Sequence, residues 1–347
     1  MKLGTGYPDI DPNTAPCVQT EVNAFARYFG PVIFSLVFVV GLVGNSLVLV
    51  ILGQSRRSWR FADHYLFQLA VADFLLGLTL PFRAVQFTQG WNFGEFFCKL
   101  VGGLSTMTTY TSIFLLTYIS AERYFVMVRA MPPNFFLKVS HIYVTSAFFW
   151  GIGLAFSIVD LHFRTAAYVS QAKAVVCHLG FEAQEAGAWK LGLQLFFFFL
   201  GFWLPILVMI YCYGRIFTKL HHAGLLSRRL PLRLLVAIWI LFVVCWGPFH
   251  CFILMDSLQR VGHLQRDCRQ EKLLDFGVLI SRSLGLAHCC LNPLVYTFGG
   301  VRFQRELCRL FCYSHRRSSG RHHSGSQDCS QAAEQSAIQN MDYSIMM

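Results

Sequence analysis

Residues 193–211 read LQLFFFFLGFWLPILVMIY, a run without a single charged side chain. A stretch of about 20 mostly apolar residues is what a helix needs to cross the roughly 30 Å hydrocarbon core of a bilayer. Six further runs have the same character, and the seven together centre on residues 31–53, 66–88, 98–121, 141–161, 190–214, 233–255 and 274–298. The other way to satisfy a backbone in lipid is a closed barrel of alternating strands, and these runs do not alternate. The fold class expected is therefore an all-α membrane protein, a bundle of seven transmembrane helices. With 55% hydrophobic and only 14% charged residues, the chain is poorly suited to water.

Charge sets the orientation. Residues 54–62, 122–140, 215–233 and 299–347 hold 17 of the 29 Lys and Arg, and everything else is close to neutral. The positive-inside rule places those segments in the cytoplasm and the N-terminus outside. The net charge of +11 is thus a topology signal and not a nucleic-acid signal. The expected organisation is an extracellular segment 1–29, a seven-helix domain 30–300, an amphipathic membrane-surface helix 301–312 and a disordered cytoplasmic tail 313–347. In VRFQRELCRLFC, Val301, Leu307, Leu310 and Phe311 oppose Arg302, Arg305 and Arg309, and Cys308 and Cys312 are palmitoylation candidates.

An ionisable group at the bilayer centre costs about 2.5–3.5 kcal/mol on insertion scales, so one kept there marks function. Asp73, in LAVADFLLGLTLP, is such a group, and Asn45, Ser112 and Asn292 fall at matching depths. Together they form a candidate polar cluster for a cation or ordered water. Prolines 81, 205, 248 and 293 lie within spans and allow kinks. Five cysteines, at 212, 245, 251, 289 and 290, lie in spans as small apolar packers, whereas Cys17, Cys98, Cys177 and Cys268 fall outside, where disulfides form. Four cysteines admit three pairings, and spacing does not choose among them. No nucleophile elbow, HExxH or phosphate loop is present, so an enzyme is not expected.

One feature stands out at the end of the third run. In ISAERYFVMV, Glu122 and Arg123 are adjacent beside a long uncharged stretch. ERY here, CWGP in span six and NPLVY in span seven occur in order and at fitting depths, with Asn45 in GN, Asp73 in LAVAD, Trp150 and Pro205. The chain resembles the rhodopsin-like G-protein-coupled receptors over residues 30–312. TLPF at 79–82, WNFGEFFCK at 91–99, HCCLNPLVYTFGGVRF at 288–303 and the outer Cys17 and Cys268 are similar to chemokine receptors, most of all to CXC receptors of the type-three kind.

The resemblance implies a receptor at the plasma membrane that takes a CXC-type chemokine outside and activates an inhibitory-type heterotrimeric G protein inside, driving chemotaxis and calcium signalling in immune cells. It pairs Cys98 with Cys177 and Cys17 with Cys268. It makes Glu122–Arg123 a latch whose release engages the G protein beside Tyr124, with Tyr213, Asn292, Pro293 and Tyr296 in support. It makes Trp246 and Pro248 a switch, and Asn45, Asp73, Ser112 and Asn292 a sodium-type site, with no other cofactor. Ligand contacts are expected from Tyr7, Asp9, Arg83, Gln86, Trp91, Ser105, Asp160, Phe249, Asp256 and Arg282. Arrestin and receptor kinases are expected on Ser318, Ser319, Ser324, Ser326 and Ser330.

The chain departs from that pattern in places. Phe125 and Val126 stand where the family has a smaller Leu-Ala pair, which predicts weaker coupling. Arg83 stands for a usual Trp, Gln86 for a common acid, Arg282 for a frequent Glu and Thr108 for a frequent Asn, so the ligand pocket is expected to be less acidic than a basic chemokine calls for. The alternative is a scavenger receptor that internalises chemokine without G-protein signalling.

Overall fold

A computed structural model of the chain describes residues 17, 19–54, 59, 61–132, 138–170, 172–182, 186–223, 230–261 and 267–299. Four helices, α1 (Thr20–Gln54), α2 (Phe61–Gln89), α3 (Gly94–Met127) and α4 (Val139–Phe163), are followed by a hairpin of β1 (Arg164–Val169) and β2 (Ala174–Leu179). Then come α5 (Ala186–Phe198), a π-helical turn (Phe199–Trp203), α6 (Leu204–His222), α7 (Leu230–Arg260) and α8 (Cys268–Gly299). Helices α5 and α6 with the turn between them make span five, so α7 is span six and α8 span seven. All seven expected spans are present, each longer than its apolar centre. Residues 20–29, assigned from sequence to the N-terminal segment, already belong to α1. Residues 301–347 lie outside the described residues, and with them the surface helix, Cys308, Cys312 and the serine tail.

Polarity in this bundle runs opposite to that of a soluble protein. Tyr143, Val144 and Phe148 on α4 and Val32, Leu36 and Val43 on α1 are exposed, while Asn45, Asp73, Thr108, Thr111 and Ser112 are buried. A chain surrounded by lipid gains nothing by hiding hydrocarbon and must pair its polar groups inside. Among the described residues six segments are long and apolar enough to cross a membrane, and α3 is not one of them. Its sequence GGLSTMTTYTS is too polar for that test because α3 is the central helix, packed against α2, α4, α6 and both strands.

Proline and glycine shape the spans locally. Pro205 has no N–H to offer and sits at the second position of α6, directly after the π turn that absorbs the mismatch. Pro81, Pro248 and Pro293 lie inside continuous helices, as does Pro31 in α1. The hairpin was not expected from sequence. Its strands pair antiparallel with Ala166 opposite Cys177, and Trp91 N–H donates to Val175 O at 2.7 Å, tying the end of α2 to β2.

Candidate functional site

Three groups of polar side chains lie along the bundle axis. The middle one is built on Asp73, which α2 carries fully buried. Ser112 Oγ donates to Asp73 Oδ1 at 3.0 Å, and Asn292 Nδ2 donates to Oδ2 at 2.8 Å. Asn45 is close in sequence logic but serves another purpose: its Nδ2 donates to Gly41 O at 2.9 Å and to Cys289 O at 2.8 Å, clamping α1 to α8. Thr108 turns its hydroxyl back to Leu104 O at 2.8 Å. His288 was not anticipated here, although it stands four residues before Asn292 on the same helix face; its Nε2 comes to 3.7 Å from Asp73 Oδ1.

The donor set suits a hard cation in part. Asp73 Oδ1 and Ser112 Oγ are adjacent oxygens, the ligand type sodium takes, while the Nδ2 of Asn45 and the hydroxyl of Thr108 donate to backbone carbonyls and not to Asp73.

At the Arg123 end of the bundle, Arg123 Nε lies 3.3 Å from Glu122 Oε2, with Glu122 only 3% exposed. A buried carboxylate needs a counter-charge, and its neighbour supplies one. The hydroxyls of Tyr213 and Ser120 share a hydrogen bond at 2.7 Å, joining span five to span three one turn from Arg123. Tyr124 OH accepts from Arg129 Nε at 3.1 Å and lies 3.4 Å from Tyr211 OH. Phe125 is 39% exposed and stacks edge-on against Tyr124. Tyr296 lies on α8, its side chain outside the described residues.

At the hairpin end is a cavity of about 370 Å³. Its floor is Trp246, whose ring centroid is 5.9 Å from Phe249 and 5.6 Å from His288. Disulfides Cys98–Cys177 and Cys17–Cys268 fasten β2 to α3 and the start of the chain to α8. The pairing implied by the resemblance is therefore present.

The expected ligand residues divide. Arg83, Ser105, Asp160, Phe249 and Arg282 line the cavity. Asp160 is not a free acid there: it is 4% exposed, accepts from Thr106 Oγ1 at 2.5 Å and from Arg164 Nε at 2.8 Å, and so is neutralised within the protein. Arg164 was missed, although its spacing of four from Asp160 on α4 was readable. Gln86 and Trp91 serve the hairpin. Gln86 Oε1 accepts from Cys177 N–H at 3.2 Å, and Trp91 is buried beside the Cys98–Cys177 bridge, its Nε1 donating to Gly94 O at 2.7 Å. Asp256 accepts from Gln194 Nε2 at 2.7 Å. Tyr7 and Asp9 lie outside the described residues.

A polar seam through a seven-helix bundle, with a cavity at one end and a buried acid-arginine pair at the other, is the layout of a receptor. The family model of the 7 transmembrane receptor (rhodopsin family) matches residues 44–296. A C-X-C chemokine receptor type 3 of Capra hircus is 38% identical over 303 residues, covering 86% of this chain and 81% of the relative. The type 3 receptor of Homo sapiens is 36% identical over 317 residues, covering 90% and 85%. A C-X-C chemokine receptor type 4-B of Xenopus laevis is 32% identical over 314 residues, covering 90% and 87%. The chain belongs to the rhodopsin-like G-protein-coupled receptors and, within them, to the chemokine receptors, a receptor family and not an enzyme class.

Proposed function

We propose that the chain is a chemokine receptor of the plasma membrane, with its N-terminus and the hairpin end outside, that binds a CXC-type chemokine and activates an inhibitory-type G protein inside. The observation that carries this is the Glu122–Arg123 pair, held at 3.3 Å within one helix turn of the Tyr213–Ser120 link between spans three and five. A bundle that rearranges spans five and six breaks that link and frees Arg123 for a cytoplasmic partner, so the pair works as a latch. Trp246, packed between the cavity and Asp73, is placed to pass ligand binding downward, and Pro248 two residues further along is the point where α7 can bend. Asp73 and Ser112 would hold a sodium ion whose charge favours the resting arrangement. Cys17–Cys268 ties the residue ahead of α1 to the start of α8, and Tyr7, Asp9 and Asp256 would meet a basic ligand. Arrestin and receptor kinases would engage the phosphorylated serines of the tail, and palmitate on Cys308 or Cys312 would anchor residues 301–312 to the bilayer.

The second reading, a scavenger that takes up chemokine without G-protein signalling, is favoured by Phe125, bulky and exposed at the same helix end as Arg123. One experiment separates the two: cyclic AMP and ligand uptake measured together in cells challenged with a panel of CXC chemokines, with Arg123→Ala as control. A fall in cyclic AMP that the variant abolishes supports the signalling receptor. Uptake with no change in cyclic AMP supports the scavenger.

A further inference from the structure

The cavity at the hairpin end carries the wrong charge for a basic ligand. Arg83, Arg164, Lys190 and Arg282 line it, and among the described lining residues Asp160 is the single acid. Asp160 is already bonded to Arg164 and Thr106, so among the described residues no ion pair is found for Arg83, Lys190 or Arg282. They come from spans two, five and seven, so three walls converge on one volume.

The arginines are also incompletely satisfied. Arg83 Nη2 donates to Ser105 Oγ at 3.1 Å, but its buried Nε has no hydrogen-bond partner among the described residues. Arg282 is exposed to the cavity, and no ion pair is found for it among the described residues. Arg83, Arg164 and Arg282 thus bring three guanidiniums to one cavity against the single carboxylate of Asp160. Like charges gathered around one cavity repel, and an orphaned buried donor costs further free energy. Charges kept inside a membrane bundle mark function, and the function this arrangement fits is holding an anion.

The remaining surface says what the anion is attached to. Tyr110, Phe197, Trp246, Phe249 and Leu286 form an aromatic and aliphatic wall below the cations. A volume of about 370 Å³ falls in the range of small-molecule sites, and far exceeds what an inorganic anion fills. Guanidinium forks match the planar, two-oxygen face of a carboxylate.

We propose that Arg83 and Arg282, with Lys190 at the rim, form an anion subsite that takes an organic carboxylate whose apolar body packs on Phe249 and Trp246. This concerns the cavity that the proposed function uses and rests on that reading only for the route by which a ligand enters. The carboxylate has two sources, a free small acid or an acidic side chain in the inserted end of a protein ligand.

The test is direct binding to the purified full-length receptor, read as the shift of its unfolding midpoint, so that G-protein coupling plays no part. The probes are 4-phenylbutyrate beside 4-phenylbutyramide, and the acetylated, amidated dipeptide Phe-Glu beside Phe-Gln, in chloride and in gluconate buffer. The expected result is stabilisation by an acid and not by its neutral partner. In Arg282→Gln or Arg83→Gln the acid binds about ten- to a hundredfold more weakly, the share of one charge-assisted contact. Because acid and amide are compared within each variant, a variant of lower stability still reads out. A response to the free acid alone assigns the subsite to a small molecule, and a response to Phe-Glu alone assigns it to the ligand chain. Equal responses to acid and amide, an acid response unchanged in Arg282→Gln, or chloride stabilising as much as either acid overturns the proposal. Chemokine signalling that survives such a result leaves the receptor function standing.

Discussion

Gly285 lies against the face of Trp246: a Cβ at 285 would stand 2.9 Å from Cε3 of the indole and 3.0 Å from Cζ3. The ring cannot slide away freely, since Phe249, His250 and His288 surround it. Gly285→Ala is therefore expected to displace the indole and lower stability by about 1–3 kcal/mol, the range for overpacked cores. Thermal unfolding of the purified receptor checks the loss, and basal G-protein activation checks the switch. An unchanged midpoint with unchanged basal activity would show that the indole does not depend on the gap at 285.

The Asp73 cluster predicts sodium dependence. If Asp73 and Ser112 hold the ion, the unfolding midpoint of the receptor rises as sodium chloride replaces choline chloride at constant ionic strength. A ligand at a hundred times its Kd stabilises the bound state by about 2.7 kcal/mol. In Asp73→Asn the sodium response vanishes, because Asn offers one weak oxygen where the carboxylate offered two. In Asn45→Ala the sodium response persists although stability falls, because Asn45 bonds Gly41 and Cys289 instead. Equal sodium responses in the parent and Asp73→Asn would remove the ion from this cluster.

Asn45 also marks where sequence reasoning reached its limit. The seven spans were legible because lipid imposes length and apolarity on every crossing helix, and the polar residues that mattered stood out as exceptions. Depth along a helix could be counted, so Asp73, Ser112 and Asn292 were placed together correctly. Rotation about the helix axis could not, and on that Asn45 and Thr108 turned to backbone carbonyls. Arg164 hid in a segment read as a loop, although it completes a four-residue spacing with Asp160 at the end of α4. The hairpin was illegible for a different reason. RTAAYV and AVVCHL are too short to declare themselves, and the Cys98–Cys177 bridge and the Trp91 contact hold β2 to the bundle from distant parts of the chain.

The Tyr213–Ser120 hydrogen bond, 2.7 Å long and buried, is a measurable link between spans three and five. Removing either hydroxyl, in Tyr213→Phe or Ser120→Ala, is expected to cost about 0.5–1.5 kcal/mol. The double variant should cost little more than Ser120→Ala alone, since the bond between the two hydroxyls is already lost there together with the one from Ser120 Oγ to Leu116 O, and a double-mutant cycle on unfolding midpoints reads that coupling. If the latch is tied to this link, Ser120→Ala also raises basal G-protein activity. Strictly additive costs would mean that the two hydroxyls act independently.

Phe125 offers the sharpest division between signalling and scavenging. It is 39% exposed one residue beyond Tyr124, with its ring centroid 5.3 Å from the Tyr124 ring, so truncating it opens little of the core. Phe125→Leu alone is expected to change stability by no more than about 0.5 kcal/mol, as for exposed positions generally, while Val126→Ala, half-buried against the core cluster that holds Ile119, costs about 1 kcal/mol more. The functional effect of the double variant should fall on the partner: the smaller pair leaves room at the Arg123 end of α3 for a transducing helix, and a steric block worth 1.4 kcal/mol corresponds to tenfold in affinity. G-protein activation by the variant should therefore rise about tenfold over the parent at the same surface level, while chemokine uptake is unchanged. A parent that signals fully, with no gain in the variant, would show that Phe125 is accommodated by the G protein and leave the scavenger reading without its structural support.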